Sequence, residues 1–185
     1  MDLVAFAISA FALLILPGPT NAMLVMASPG LPPARMGVLL AAVLAAYLCV
    51  IVPVSAFAVP YLHDHPAVFQ GVKLISATWV LYLALKLWGL NGYTQPFQPG
   101  FGQLFLTTLL NPKGLIVGLT MLPSQGAFAP DAIAAFLIAA AATSSAWLAL
   151  GRLVLGGQQQ LPLLARRCGS AALMAFAAML TISTF

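Results

Sequence analysis

The sequence predicts an all-α integral membrane protein: six transmembrane helices arranged as two inverted three-helix repeats, with the first and fourth helices broken. Three observations predict it. Of the 185 residues, 62% are hydrophobic and only 5% charged, against roughly half and a quarter in soluble domains. Six apolar stretches approach the length of about 20 residues that a spanning helix needs, and segments rich in Gly, Pro, Asn or Gln separate them. Two of the six are interrupted by proline at matching positions in the two halves of the chain.

The spans are expected over residues 3–26, 36–60, 68–90, 101–122, 131–151 and 165–184. The first has Asp2 in place of a basic leader and is longer than a secretory h-region, so it is expected to be retained. The second carries Gly37 followed by alanines, and Pro53, which is expected to kink it. On the third, Thr78, Tyr82 and Lys86 form a stripe ending in an interfacial anchor, while Trp79, Trp88, Tyr61 and Tyr93 fit the aromatic enrichment of membrane interfaces. Gln103, Thr107 and Asn111 recur every four positions on the fourth span, an inward polar face that Gly114 and Gly118 continue as a "GLIVG" motif for close helix packing. The fifth span offers mid-membrane hydroxyls at Thr143, Ser144 and Ser145, readable as substrate contacts or as ordinary helix packing. Cys49 and Cys168 lie in apolar helices without metal-ligand spacing and read as small packing residues. No loop exceeds roughly 15 residues, leaving no room for a soluble domain. His63, Asp64 and His65 in the second loop are expected to be solvated.

Orientation follows from the cations, since cytoplasmic loops collect Lys and Arg. Arg35, Lys86, Arg152, Arg166 and Arg167 flank the odd-numbered loops, whereas the even-numbered loops have Lys73, Asp64 and Asp131. The odd-numbered loops are therefore expected inside and both termini outside. The formal charge of +4 is this topology signal and implies no nucleic-acid partner.

The interruptions are "LPGPTN" in the first span and "LLNPKG" in the fourth. Pro19 and Pro112 are 93 residues apart, half the chain, so a cut between residues 1–92 and 93–185 gives two sets of three spans. Three is odd, so the second set runs inverted. Paired Gly/Pro-interrupted segments in two such halves point to a transporter's binding site. Asn111-Pro112 reads as a helix restart, with Asn as N-cap and Pro at the first helical position. Gly18-Pro19 is the same pairing with a weaker cap. Upstream, Pro17, Pro19 and Pro112 release the carbonyls of Leu13, Ile15 and Thr108. Unpaired groups in hydrocarbon cost several kcal/mol each, so such breaks belong against protein or a wet cavity. A restarted half-helix offers free N–H groups and a partial positive charge, which suits a carboxylate. Lys113 sits one residue past Pro112, about 15 Å from either membrane surface, too deep for its stem to reach water easily. No Glu exists in the chain, and the aspartates lie near span ends. By elimination the compensating anion is a ligand; the alternative is a lysine held by backbone carbonyls in a wet crevice.

"PGPTN", "VKLISATWVLYLALKLWG", "FLTTLLNPKGLIVGLTMLP" and "RRCGSAALMAFAAMLTIS" together resemble the lysine exporter (LysE/RhtB) family of bacterial amino-acid effluxers over nearly the whole chain. The resemblance implies a secondary exporter of the bacterial inner membrane, driven by the proton gradient. Its signature falls on Pro17, Gly18, Pro19 and on Asn111, Pro112, Lys113. The chain departs from the family in placing Thr20 before Asn21, which moves the amide by about 100° around a helix. It also has Gly114 where the family often has Ala.

These readings converge on an exporter of amino acids or related small metabolites working by alternating access. Pro17, Gly18, Pro19, Thr20, Asn21, Thr108, Asn111, Pro112, Lys113, Thr143 and Ser144 are the candidate substrate-binding residues. The lack of a mid-membrane carboxylate favours neutral amino acids. Protons are the expected coupling ion, with Lys113, the substrate or water as carrier. No cofactor or metal is expected. A homodimer is compatible with the resemblance, although "GLIVG" serves equally to pack helices within one subunit. The competing reading is a non-transporting membrane scaffold, or an exporter of another small solute. An enzyme is disfavoured, because the spans lack a His/Glu metal pair, a "GxSxG" elbow or paired aspartates.

Overall fold

The computed structural model describes residues 2–55, 66–89, 99–122, 129–156 and 163–182, and among these every regular element is helical. His63, Asp64, His65, Tyr61 and Tyr93 lie outside the described residues. Three helices, Pro33–Pro53, Gln70–Trp88 and Pro130–Leu155, are each long and apolar enough to cross a membrane. Two bent pairs, Leu3–Ile15 with Pro19–Ala27 and Phe101–Leu109 with Pro112–Met121, raise that number to five if each pair is one span.

Local chemistry sets each boundary. Helix α1 (Leu3–Ile15) starts where the Asp2 carboxylate accepts the Ala5 N–H at 2.6 Å, and it stops at Leu16, ahead of Pro17. Helix α2 (Pro19–Ala27) restarts with proline at its first position, turned 65° from α1. The Ser28 hydroxyl closes it on the Val25 carbonyl, and Gly30, at φ 64°, turns the chain toward α3 (Pro33–Pro53). Only glycine adopts that φ without strain. Pro53 lies at the end of α3 and not in its middle, and the helical backbone passes over into a π-helical turn at Val54 and Ser55. Helix α4 (Pro66–Trp88) is unbroken. In the second half, α5 (Phe101–Leu109) and α6 (Pro112–Ile116) bend by 46°. A π-helical turn at Val117–Met121 follows, in which Leu122 N–H reaches back to the Val117 carbonyl. Helix α7 (Pro130–Leu155) ends at Gly156, φ 65°, and α8 (Leu163–Ile182) completes the described chain.

Packing crosses between the halves. Helix α1 lies on α7, α5 lies on α3, α2 wedges against α7 and α5, and α4 pairs with α8. The interior is a continuous cluster that includes Phe6, Leu14, Met23, Val43, Tyr47 and Phe136, with the Tyr47 and Phe136 rings edge to face at 5.3 Å. Outward positions are apolar as well: Val4, Ile8, Ile138 and Leu153 are at least 64% exposed. A shell of this kind suits lipid contact, since soluble monomers rarely expose large contiguous apolar patches.

Glycines mark the closest approaches. A Cβ on Gly114 would meet Tyr47 and Val50, and one on Gly118 would meet Val54, so "GLIVG" packs the broken span onto α3. Gly37 and Gly71, by contrast, face open space. Gly37→Ala is therefore expected to raise stability by up to about 1 kcal/mol through helix propensity alone, read as a small upward shift of the thermal unfolding midpoint. A fall would show that the start of α3 is more crowded than its geometry indicates.

One reading of side chains changes. Cys49 and Cys168 are free thiols at exposed positions, not core packing residues. Trp79 is half-buried, and its indole N–H donates to the Thr107 hydroxyl at 3.1 Å, tying α4 to the broken span.

Candidate functional site where two helix breaks meet

Proline removes donors, so the end of α1 leaves carbonyls without intrahelical partners. Side chains supply all three that follow one another there. Asn21 Nδ2 donates to the Leu14 carbonyl at 2.9 Å and to the Leu16 carbonyl at 2.8 Å. Trp147 Nε1, from α7, donates to the Ile15 carbonyl at 3.2 Å. Lys113 Nζ, arriving from α6, donates to the Leu14 carbonyl at 3.3 Å and to the Leu16 carbonyl. The ammonium thus caps the C-terminal, electronegative end of α1, where the helix dipole favours a cation. Gly18 stands at this crossing; a Cβ there would come within 3.3 Å of Lys113 Cε.

A second set of bonds joins the two restarts. Asn111 Nδ2 donates to Thr20 Oγ1 at 3.0 Å, and Thr20 Oγ1 lies 3.2 Å from Thr108 Oγ1. Asn111 Oδ1 accepts the Lys113 N–H at 3.1 Å, the N-cap expected of Asn before Pro. The Asn111 N–H takes the Thr108 carbonyl that Pro112 leaves free. Thr20, Asn21, Thr108, Asn111 and Lys113 are all buried, Lys113 at 6% exposure. Breaks 93 residues apart thereby share one polar cluster inside an apolar protein.

Of the candidate residues, Gly18, Thr20, Asn21, Thr108, Asn111 and Lys113 come together, with Pro17, Pro19 and Pro112 shaping the turns. Thr143 does not join them. Its hydroxyl donates within α7, to the Ala139 and Ala140 carbonyls, while Ser144 is buried beside it on the same helix. Of the two readings for Lys113, the geometry has the one in which backbone carbonyls hold the ammonium. The neighbours Thr20 and Asn21 point to different partners. Thr20 faces the second break, while Asn21 turns back to the end of its own broken helix.

The two restarts differ in one respect. Asn111 caps α6, whereas no side chain caps α2 at Gly18. Gly18 and Asn21, with Pro17, also line a cavity of about 620 Å³ between α2, α7 and α8. Trp147, Cys168 and Phe176 belong to its wall. The α8 residues escaped sequence reasoning because they bear no polar signal. Their one trace is the run of small residues in "CGSAALMAFAAM", which keeps the helix thin on that face. Among the described residues no three His, Cys, Asp or Glu side chains group as metal ligands.

No protein-family model, curated protein or solved structure matches the chain.

Proposed function

We propose that the protein is a secondary-active exporter of neutral amino acids or related small metabolites, working by alternating access across the bacterial inner membrane and coupled to protons. In this reading the chain has six spans in two inverted three-helix repeats, residues 1–92 and 93–185, with both termini periplasmic. The observation that carries it is the meeting of the two proline breaks through Thr20 and Asn111, 3.0 Å apart, in a buried polar cluster next to a cavity. Irregular backbone at membrane depth is tolerated where it is covered by protein or lines a cavity, and transporters place such breaks at the substrate site.

Helix pairing supports the repeat. The opening helix of each half packs on the second helix of the other, α1 on α7 and α5 on α3, and the third helices pair with each other. Two halves related by a two-fold axis in the membrane plane give that exchange. Contacts among the cationic ends support the orientation. Arg152 donates to the Leu31 carbonyl, the Arg167 guanidinium lies 5.7 Å from the centre of the Trp88 ring, and Gly151 abuts Val25 and Ser28.

In the proposed cycle the solute carboxylate binds the uncapped N-terminus of α2 at Gly18 and draws Lys113 from the Leu16 carbonyl. The freed carbonyl then meets the solute's amine. Lys113 is the one charged side chain buried at the breaks among the described residues, which makes it the candidate proton carrier. Rocking of the two halves makes and breaks its contact with α1. In proteoliposomes, Lys113→Ala is expected to lower neutral amino-acid efflux at least tenfold; unimpaired efflux would remove Lys113 from the mechanism.

A second reading has its own support. The cluster satisfies itself, with Lys113 bonded to carbonyls, as a structural clasp in a non-transporting scaffold would be. Comparing metabolites in the medium of cells with and without the protein separates the two: an exporter enriches a solute outside, and a scaffold enriches none.

A further inference from the structure

We infer that the cavity between α2, α7 and α8 receives the apolar body of the exported solute, so that the substrate is a neutral carboxylate-bearing molecule with a bulky aliphatic or aromatic side chain. This rests on the export reading above and narrows it.

Size is the first argument. About 620 Å³ falls within the range of roughly 300–1,000 Å³ typical of small-molecule sites, far more than a methyl or hydroxymethyl side chain fills. Chemistry is the second. No lining residue has an ionised side chain; Asn21 and Trp147 are the polar ones, and the rest of the wall includes Met26, Leu173, Phe176 and Met179. A cationic side chain entering here would lose its hydration without gaining a counter-ion, which is costly. Methionine and aromatic walls adapt to apolar groups of varied shape.

The polar groups are not scattered around this wall. Both belong to the first break: Asn21 bonds the Leu14 and Leu16 carbonyls, and Trp147 bonds the Ile15 carbonyl. The cavity therefore matches an amphipathic solute, head at the break and body along α8.

Cys168 lies on the cavity wall, and Cys49 is the other cysteine of the chain. The test uses the Cys49→Ala protein in liposomes and follows alkylation of Cys168 by a membrane-permeant maleimide, with phenylalanine, leucine, alanine or lysine present. Phenylalanine and leucine are expected to slow labelling at concentrations at least tenfold below those at which alanine does, and lysine to give no protection. Ala172→Trp, which puts a ring into the cavity, is expected to abolish the protection by phenylalanine. Efflux of the same amino acids is measured in parallel. Alanine efflux without protection by phenylalanine or leucine would overturn this inference and leave the export reading standing. Protection by phenylalanine without efflux of any amino acid would support the binding site and overturn export. Equal protection by alanine and phenylalanine, or by none of the four, would also overturn the inference.

Discussion

The double variant Asn21→Leu/Lys113→Met is expected to lose more stability than the two single variants together, by about 2 kcal/mol beyond their sum. The reason lies in shared acceptors. The Leu14 and Leu16 carbonyls each accept from both Asn21 Nδ2 and Lys113 Nζ, and a carbonyl oxygen has two lone pairs to offer. Either donor alone keeps both oxygens paired. Losing both leaves two buried carbonyls bare, at a cost of several kcal/mol each in an apolar setting.

The single variants should differ from each other. Asn21→Leu forfeits two neutral hydrogen bonds, about 1–2 kcal/mol net. Lys113→Met forfeits its bonds but also removes a buried charge, and those terms oppose, so it is expected within about 1 kcal/mol of the parent. Thermal or denaturant unfolding in detergent measures the cycle. Strict additivity would mean that water reaches the end of α1 freely and that the clasp is not what closes the break. A Lys113→Met protein as stable as its parent and yet unable to transport would assign the ammonium to function.

Gly151→Ala is expected to destabilise the protein by about 3 kcal/mol, the upper end of the usual cost of overpacking. A Cβ at this position would come within 2.6 Å of the Val25 carbonyl oxygen and 2.8 Å of the Val25 Cα. These are backbone atoms, and no rotamer moves them. Relief requires α2 to shift away from α7. Because α2 is nine residues long, a displacement at Val25 is carried along the helix to Thr20 and Asn21, and transport should fall with stability. The comparison variant is Gly37→Ala, whose Cβ meets nothing within 4 Å. Equal unfolding midpoints for the two would show that α2 and α7 are not in the tight contact on which the break's position depends.

The broken spans were legible because proline acts locally. It lacks an N–H wherever it stands, so "PGP" and "NPK" announce where helices stop and restart before anything is known of their neighbours. The cap by Asn111 and the role of "GLIVG" in packing were legible for the same reason, each depending on a few adjacent residues. The partner of Lys113 was not. Elimination among side chains omits the backbone, and the acceptors are carbonyls 97 and 99 residues away. Trp79 and Trp147 were obscured differently, since an indole at a membrane interface and one bonded to a broken helix look identical in sequence. Thr143 looked available as a hydroxyl, but its own helix offered carbonyls within reach.

The sequence alone determined that the chain is helical and apolar and where its first and fourth helices are interrupted. Composition and the missing donors of proline are properties of residues that no packing alters. Tertiary structure alone decided that the two interruptions share one cluster, that α1 supplies the acceptors for Lys113, and that α8 leaves a cavity against the first break. Those depend on which faces of distant helices meet. Small residues such as Gly151 set that approach, and their effect exists only once a neighbouring backbone arrives.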